Sequence, residues 1–138
     1  MVLYWRSFKS KRRKEKLTCQ KNSKYLKRMP RSVLQSNWHY SAEFDPAKLA
    51  TNRYLDLDKA GFDQIPAGSN FICNTNFEGL VKFCDEHCCK ERIKGYMMAP
   101  WILTVDQNEE KCMEAVSQMA AAIKARRTGD EARQCSSL

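Results

Sequence analysis

The chain has 138 residues, of which 43% are apolar, enough for one domain with its own core. No apolar run approaches the roughly eighteen residues of a membrane-spanning helix, and the apolar start is too short for a signal peptide, so we expect a cytoplasmic protein without a membrane partner. The net charge is +8, but residues 1–37 carry twelve of the 24 basic side chains and one of the 16 acidic ones. The basic character therefore belongs to an N-terminal segment, and the remainder is net negative.

The seven cysteines are irregularly spaced and two are adjacent, which favours a reducing compartment over a disulfide framework. The cluster CDEHCC offers thiolates and an imidazole, and so raises the alternative of a metal site. Cys84 and Cys88, however, fall on one apolar helix face, and zinc prefers ligands from separated pairs. No glycine-rich phosphate loop follows a predicted strand either. The sequence predicts no metal and no other cofactor.

Residues 1–30 are rich in Lys and Arg and show no sustained apolar period, which is typical of a disordered or loosely helical tail. Any helix there is expected to stop before Pro30. With Trp5 and Phe8 between the basic residues, this tail could neutralise phosphates and stack on a base. A small α/β protein that binds nucleic acid through a basic tail is therefore the alternative function.

From residue 31 onward, strand-like and helix-like stretches alternate. The predicted strands are SVLQSNW, GFDQIPA and RIKGYMMAPW; the predicted helices are FDPAKLATNRYLDLDKAG, TNFEGLVKFCDEHCC and EEKCMEAVSQMAAAIKARR. The strand centres near Gln35, Gln64 and Met97 are about thirty residues apart, the length of one strand–helix crossover. Such alternation predicts a parallel sheet with right-handed crossovers over 31–127, followed by a frayed tail over 128–138.

The helix ends carry recognisable signals. Asp45 is the expected N-cap of the first helix, with Pro46 at its first position and Gly61 as its C-terminal stop. Thr75 and Glu78 have the spacing of a capping box at the start of the second helix. Two apolar stripes are expected to be buried, one in the second helix (Phe77, Leu80, Val81, Cys84 and Cys88) and one in the third (Cys112, Met113, Val116, Ala120 and Ile123).

Unusual side chains follow each predicted strand, at the edge where parallel sheets bind ligands. They combine aromatic platforms with hydrogen-bonding tips, which suits a sugar that stacks one face and bonds through its hydroxyls. A tryptophan that only covers the core is the alternative interpretation of each position. The candidate substrate-binding residues are Trp38, His39, Tyr40, Ser69, Asn70 and Trp101.

The motifs SNWHY, GFDQIPAGSN and RIKGYMMAPW, in this order, resemble the last three units of a glycoside hydrolase family 20 barrel, the fold of β-N-acetylhexosaminidase-like proteins. The resemblance covers about residues 31–125. It implies three consecutive βα units of a parallel (β/α)8-type barrel, preceded by a basic and mostly irregular N-terminal segment. The chain would then be a C-terminal fragment contributing part of a face for N-acetylhexosamine-type glycans, with the missing barrel half supplied by a neighbouring reading frame.

The resemblance also implies what this stretch lacks. Family 20 barrels carry an Asp-Glu pair at the end of the fourth strand, and glycoside hydrolysis needs such a pair of carboxyl groups. No pair here matches it, since Asp45 and Asp106 are explained by helix starts and Glu43 is a single carboxylate. We therefore expect no catalytic residues and no glycosidase activity from this chain alone.

Overall fold

A computed structural model of the chain describes residues 24–135, with side chains up to residue 126. The contacts divide the chain into two compact units, Met1–Pro30 and Arg31–Leu138. In the first unit, residues 24–28 are helical, and the N–H of Met29 donates to the carbonyl of Tyr25 at 3.0 Å. The prediction for residues 1–23 lies outside the described residues.

Over residues 31–135 the second unit contains three α-helices and two very short strands. In chain order they are α1 (Leu49–Lys59), β1 (Ala67–Gly68), α2 (Asn76–His87), β2 (Met97–Met98) and α3 (Glu109–Cys135), with 3-10 turns at Lys90–Arg92 and Asp106–Asn108. Within residues 24–135, no helix combines the length and the apolar character needed to cross a membrane.

The two strands pair in parallel, with Ala67 opposite Met97 and Gly68 opposite Met98. Three isolated parallel bridges add single pairs beside this sheet: Gln35 with Gln64, Trp38 with Ala67, and Gln64 with Ile93. The extended stretch around Gln35 therefore lies on one side of the stretch that contains β1, and β2 lies on the other.

The expected fold class, three consecutive βα units of a (β/α)8-type barrel, is wrong. Over residues 24–135 the sheet is open and its named strands are two residues long. Pro66 has no N–H to donate immediately before β1, which limits the ladder there. Val33 and Leu34 are exposed, so the first predicted strand lacks the burial that stabilises an inner barrel strand.

Helix α1 starts later than the sequence predicts and stops where predicted. Asp45 accepts the N–H of Ala47 at 2.8 Å in a turn that precedes the helix, and Lys48 takes the N-cap position without a side-chain bond. Gly61 adopts a φ of 81°. Its N–H donates to the Asp58 carbonyl, and the next N–H donates to the Leu57 carbonyl, the two bonds of a Schellman motif.

Helix α2 supplies the centre of the core. Its predicted stripe of Phe77, Leu80, Val81, Cys84 and Cys88 is buried, as expected. The other buried residues of this hydrophobic core are Tyr54, Phe83, Ile93, Tyr96 and Ala122. The predicted capping box is absent, because Thr75 makes no side-chain cap bond and its hydroxyl lies 3.1 Å from the sulfur of Cys73.

Helix α3 buries a different face from the one predicted. Ala115 and Ala122 are buried, whereas Met113 and Val116 are 56% and 59% exposed and Ala120 is also exposed. The physical reason is that small residues allow α3 to approach the core closely. Helix α3 also continues to Cys135, where the sequence predicts a frayed tail from residue 128.

Candidate functional site

Three of the predicted site residues form one group of rings, which we call the aromatic cluster: Trp38, Tyr40 and Trp101. The rings of Trp38 and Tyr40 are stacked, with centroids 5.2 Å apart and an interplanar angle of 21°. Tyr40 meets Trp101 edge to face at 6.0 Å. Side chains two residues apart on an extended chain share a face, which explains why Trp38 and Tyr40 stack.

The cluster spans the end of β1 from both sides. Trp38 bridges to Ala67 on one side of β1 and Tyr40 follows it, whereas Trp101 follows β2 on the other side. Trp38 is 59% exposed and Trp101 58% exposed, while Tyr40 between them is partly buried. The indoles of Trp38 and Trp101 are therefore exposed to solvent, and the Tyr40 ring between them contacts both.

The backbone at Trp101 is strained. Its φ is 56°, in the left-handed region that bulky residues rarely occupy and that costs about 1–2 kcal/mol for a residue with a Cβ. Pro100 precedes it, which restricts the chain just before this turn. Strain of this kind concentrates at functional sites, and here it directs an indole toward Tyr40.

Tyr40 is uncharged at neutral pH. Burial raises the pKa of its phenol, and a hydrogen bond with the side chain of Trp101 acts in the opposite direction. Indole nitrogen can only donate, so in this contact the Tyr40 oxygen is the acceptor. The cluster thus places one phenol hydroxyl between two apolar faces.

His39 lies beside the cluster but is held by its own loop. Its Nε2–H donates to the carbonyl of Glu43 at 2.9 Å, and its ring meets Phe44 edge to face at 5.1 Å. Both contacts are local. A role for His39 in substrate contact stays a prediction. In the structure, its side chain holds its own loop in place.

Ser69 and Asn70 follow β1 and are buried, with 0% and 3% exposure. The Ser69 hydroxyl accepts the N–H of Phe71 at 3.0 Å. The side-chain amide of Asn70 donates to the carbonyl of Lys111 at 3.2 Å, while its Oδ1 has no hydrogen-bond partner among the described residues. Both residues therefore support the loop after β1, and substrate contact by them stays a prediction.

Asn76 is a residue that the sequence reasoning missed. Fully buried, it accepts the N–H of Ser69 at 2.9 Å and donates to the carbonyls of His39 at 2.9 Å and Ser41 at 2.6 Å. One side chain thus joins the loop that carries Tyr40 to the end of β1. An Asn in the first turn of an apolar helix is the signal that could have found it, since Asn favours bonds to nearby backbone over helix interiors.

Two of the three acids considered as catalytic candidates make local contacts. Glu43 forms an ion pair with Lys48, and its backbone N–H donates to the Ser41 hydroxyl. Asp45 accepts from the turn before α1, whereas Asp106 is exposed at the start of a 3-10 turn. The absence of glycosidase activity stays a prediction.

The alternatives raised by the sequence have separate outcomes. Cys84 and Cys88 share a hydrogen bond in the core, which together with burial raises the pKa of the Cys84 thiol. Within the described residues, no group of three or more His, Cys, Asp or Glu side chains is arranged to hold a metal ion. Most of the basic tail lies outside the described residues, so nucleic-acid binding stays a prediction.

No family model, curated protein or solved structure matches this chain. The resemblance to glycoside hydrolase family 20 therefore stays a prediction that rests on three strand-end motifs.

Proposed function

We propose that this chain binds carbohydrate of the N-acetylhexosamine type through the aromatic cluster and does not hydrolyse it. The observation that carries the proposal is the pair of exposed indoles, Trp38 and Trp101, held on either side of Tyr40. The sugar class is drawn from the resemblance of the strand-end motifs to family 20 hexosaminidases.

The geometry of the aromatic cluster favours a ligand that has an apolar face and polar substituents. Indole faces pack against the axial hydrogens of a pyranose ring, and the Tyr40 hydroxyl can bond one ring substituent. Because stacking and the strained turn at Trp101 hold the rings in place, little side-chain entropy is lost when a ligand binds. Among the described residues, Glu43 and Asp45 make local contacts, so the proposal assigns binding to the rings and no proton transfer to a carboxyl pair.

The test is a fluorescence titration of the full-length chain with an N-acetylglucosamine trimer. Trp5→Phe serves as the starting protein, so that emission comes from Trp38 and Trp101 alone. We expect a saturable change in emission. Trp38→Ala and Trp101→Ala should each weaken binding by about tenfold or more, while Trp38→Phe, which keeps a ring, should lose less.

Two controls accompany the titration. Tyr25→Ala removes an exposed ring outside the cluster and should leave binding unchanged. Glu43→Gln should also leave binding unchanged, and neither form should release a chromogenic N-acetylglucosaminide. A chain that shows no saturable response, or that binds equally well without both indoles, contradicts the proposal.

We also propose that the protein works in the cytoplasm. The described cysteines 73, 84, 88, 89 and 112 are all free thiols, which a reducing compartment preserves. Fractionation of cells that express the tagged chain, with thiol labelling, should recover unpaired cysteines in the cytoplasmic fraction. Recovery in an oxidising compartment with paired cysteines would contradict this location.

A further inference from the structure

Two thiols of the core, Cys84 and Cys88, lie next to each other at the end of α2. They are one helical turn apart, and the N–H of Cys88 donates to the carbonyl of Cys84 at 2.9 Å. Their sulfurs share a hydrogen bond, and both thiols are free. Neither belongs to the aromatic cluster, so this pair is a second place in the molecule where reactive groups meet.

The two thiols differ in reactivity. The hydrogen bond from Cys84 lowers the pKa of the Cys88 thiol, whereas the same bond, together with burial, raises the pKa of the Cys84 thiol. Cys88 also keeps 8% of its surface exposed, against 1% for Cys84. Because a thiolate is the attacking species in thiol–disulfide exchange, a disulfide reagent from solvent should react with Cys88 first.

The end of the helix brings this pair close to disulfide geometry without completing it. Residues four apart rise about 6 Å along a helix, within the roughly 4.4–6.8 Å between the Cα atoms of disulfides. Their Cβ atoms are about 5–6 Å apart on a regular helix, whereas a disulfide needs about 3.8 Å. Cys88 is the C-cap, with a φ of −111° and a ψ of 155°, so its backbone has already left the helix. A bond between the two sulfurs is therefore within reach if Cys88 shifts.

A shift of Cys88 reaches α1 through the next residue. The N–H of Cys89 donates to Oδ1 of Asp58, in the last turn of α1, at 3.2 Å. The Nε of Arg92 lies 3.9 Å from the same oxygen. Because a planar peptide joins Cys88 to Cys89, a movement of Cys88 toward Cys84 displaces this N–H. The contact between the end of α2 and the end of α1 therefore depends on where Cys88 lies.

We propose that Cys84 and Cys88 are a redox-sensitive pair, which glutathione disulfide closes to an intramolecular disulfide that loosens the contact between α2 and α1. The Cys88 thiolate attacks one sulfur of the oxidant, so a Cys88–glutathione bond forms and the first glutathione leaves as a thiolate. Cys84 gives up its proton and attacks the Cys88 sulfur, and the second glutathione leaves. Each leaving thiolate takes up one proton, so the pair loses two hydrogen atoms and the oxidant becomes two glutathione molecules. This proposal does not depend on sugar binding by the aromatic cluster.

The first measurement is thiol labelling of the folded, full-length chain after incubation with glutathione disulfide. The tryptic peptide 83–90 carries three cysteines, the proposed pair and Cys89. We expect this peptide to lose two hydrogen atoms and to take one maleimide label, where the reduced chain takes three. Circular dichroism before and after the incubation confirms that the chain stays folded. A peptide that keeps three labels, or that carries only glutathione adducts, overturns the proposal.

Serine variants identify the two partners. Cys89→Ser is the matched control, because it removes the neighbouring thiol of the same peptide and should still lose two hydrogen atoms. Cys84→Ser and Cys88→Ser should each abolish that loss. A bond between the adjacent cysteines 88 and 89 would instead persist in Cys84→Ser and disappear in Cys89→Ser, and this result overturns the proposal.

Amide hydrogen exchange, followed by nuclear magnetic resonance, tests the effect on α1. In the oxidised chain the N–H of Cys89 should exchange faster by about tenfold, the equivalent of one lost hydrogen bond. The N–H of Ala60, which donates to the carbonyl of Asp56 at 3.0 Å, is the internal control at the same end of α1 and should not change. An unchanged rate at Cys89, or an equal change at both amides, overturns the proposed loosening.

Discussion

At the scale of single residues, Asn76 determines how the two sides of the candidate site are joined. Its amide connects one N–H and two carbonyls that lie 7, 37 and 35 positions away in sequence. Such a residue cannot be identified by apolar periodicity, because its importance arises only when the loop around His39 folds onto the end of β1. The exposed rings, by contrast, are evident from the sequence as aromatic residues at strand ends.

We predict that Asn76→Ala lowers the free energy of unfolding by about 2–4 kcal/mol, because it leaves buried backbone groups without partners. Tryptophan emission should also shift, since the loop that carries Tyr40 is released. Urea unfolding followed by fluorescence measures both effects. Asn52→Ala, which removes an exposed amide bonded to the Pro46 carbonyl, is the control and should cost less than about 1 kcal/mol. Similar losses in both variants would show that Asn76 has no special role.

At the scale of elements, the sequence predicted which segments are helical better than which of their faces are buried. The stripe of α2 is buried as expected, since large apolar residues there pack in one core with Tyr54, Tyr96 and Ala122. In α3 the same argument fails, because Ala115 and Ala122 make the close approach and the larger side chains face outward. Periodicity detects an apolar face, but it does not tell whether that face meets the domain or another molecule.

The end of α1 is the clearest case in which sequence and structure agree. Gly61 occupies the left-handed conformation that the Schellman motif needs. We predict that Gly61→Ala lowers the free energy of unfolding by about 1 kcal/mol, because a Cβ is disfavoured at this φ. It would also approach the Arg92 guanidinium at 3.3 Å.

Thermal unfolding followed by circular dichroism checks this prediction. Gly61→Asn is the matched comparison, because Asn tolerates the left-handed region better and should lose less stability. If alanine and asparagine behave alike, the loss comes from crowding at Arg92 and not from the backbone conformation.

At the scale of the whole molecule, the parallel order of the extended stretches follows the spacing seen in the sequence, but the barrel does not form. A barrel strand is stabilised by ladders on both sides, whereas within residues 24–135 the stretch around Gln35 forms single bridges, and these lie on one side. Pro66 and the exposed Val33 and Leu34 reduce the pairing further. The resemblance in local motifs therefore did not extend to the architecture.

Two buried tyrosines in the core should make the stability of the protein sensitive to alkaline pH. Burial raises the pKa of Tyr54 and of Tyr96 well above the usual value of a phenol. Below about pH 10 these tyrosines are neutral in both the folded and the unfolded state, so the free energy of unfolding does not depend on their titration. Above about pH 10 the unfolded state loses protons first, and the free energy of unfolding should fall by up to about 1.4 kcal/mol per pH unit for each tyrosine.

Urea unfolding on both sides of pH 10 measures this slope. Tyr54→Phe should reduce the slope and preserve stability at neutral pH, because the Tyr54 hydroxyl has no hydrogen-bond partner among the described residues. Tyr25→Phe, at an exposed site, is the control. An unchanged slope in Tyr54→Phe would contradict the assignment of the effect to this buried phenol.

The proposed sugar-binding surface consists of two exposed indoles joined by Tyr40. Nuclear magnetic resonance tests it most directly, because the three tryptophans give three indole N–H signals that Trp→Phe variants assign. On titration of the full-length chain with an N-acetylglucosamine trimer, we predict that the signals of Trp38 and Trp101 move together and saturate while that of Trp5 stays in place. Three unmoved signals, or a response confined to Trp5, would contradict the claim.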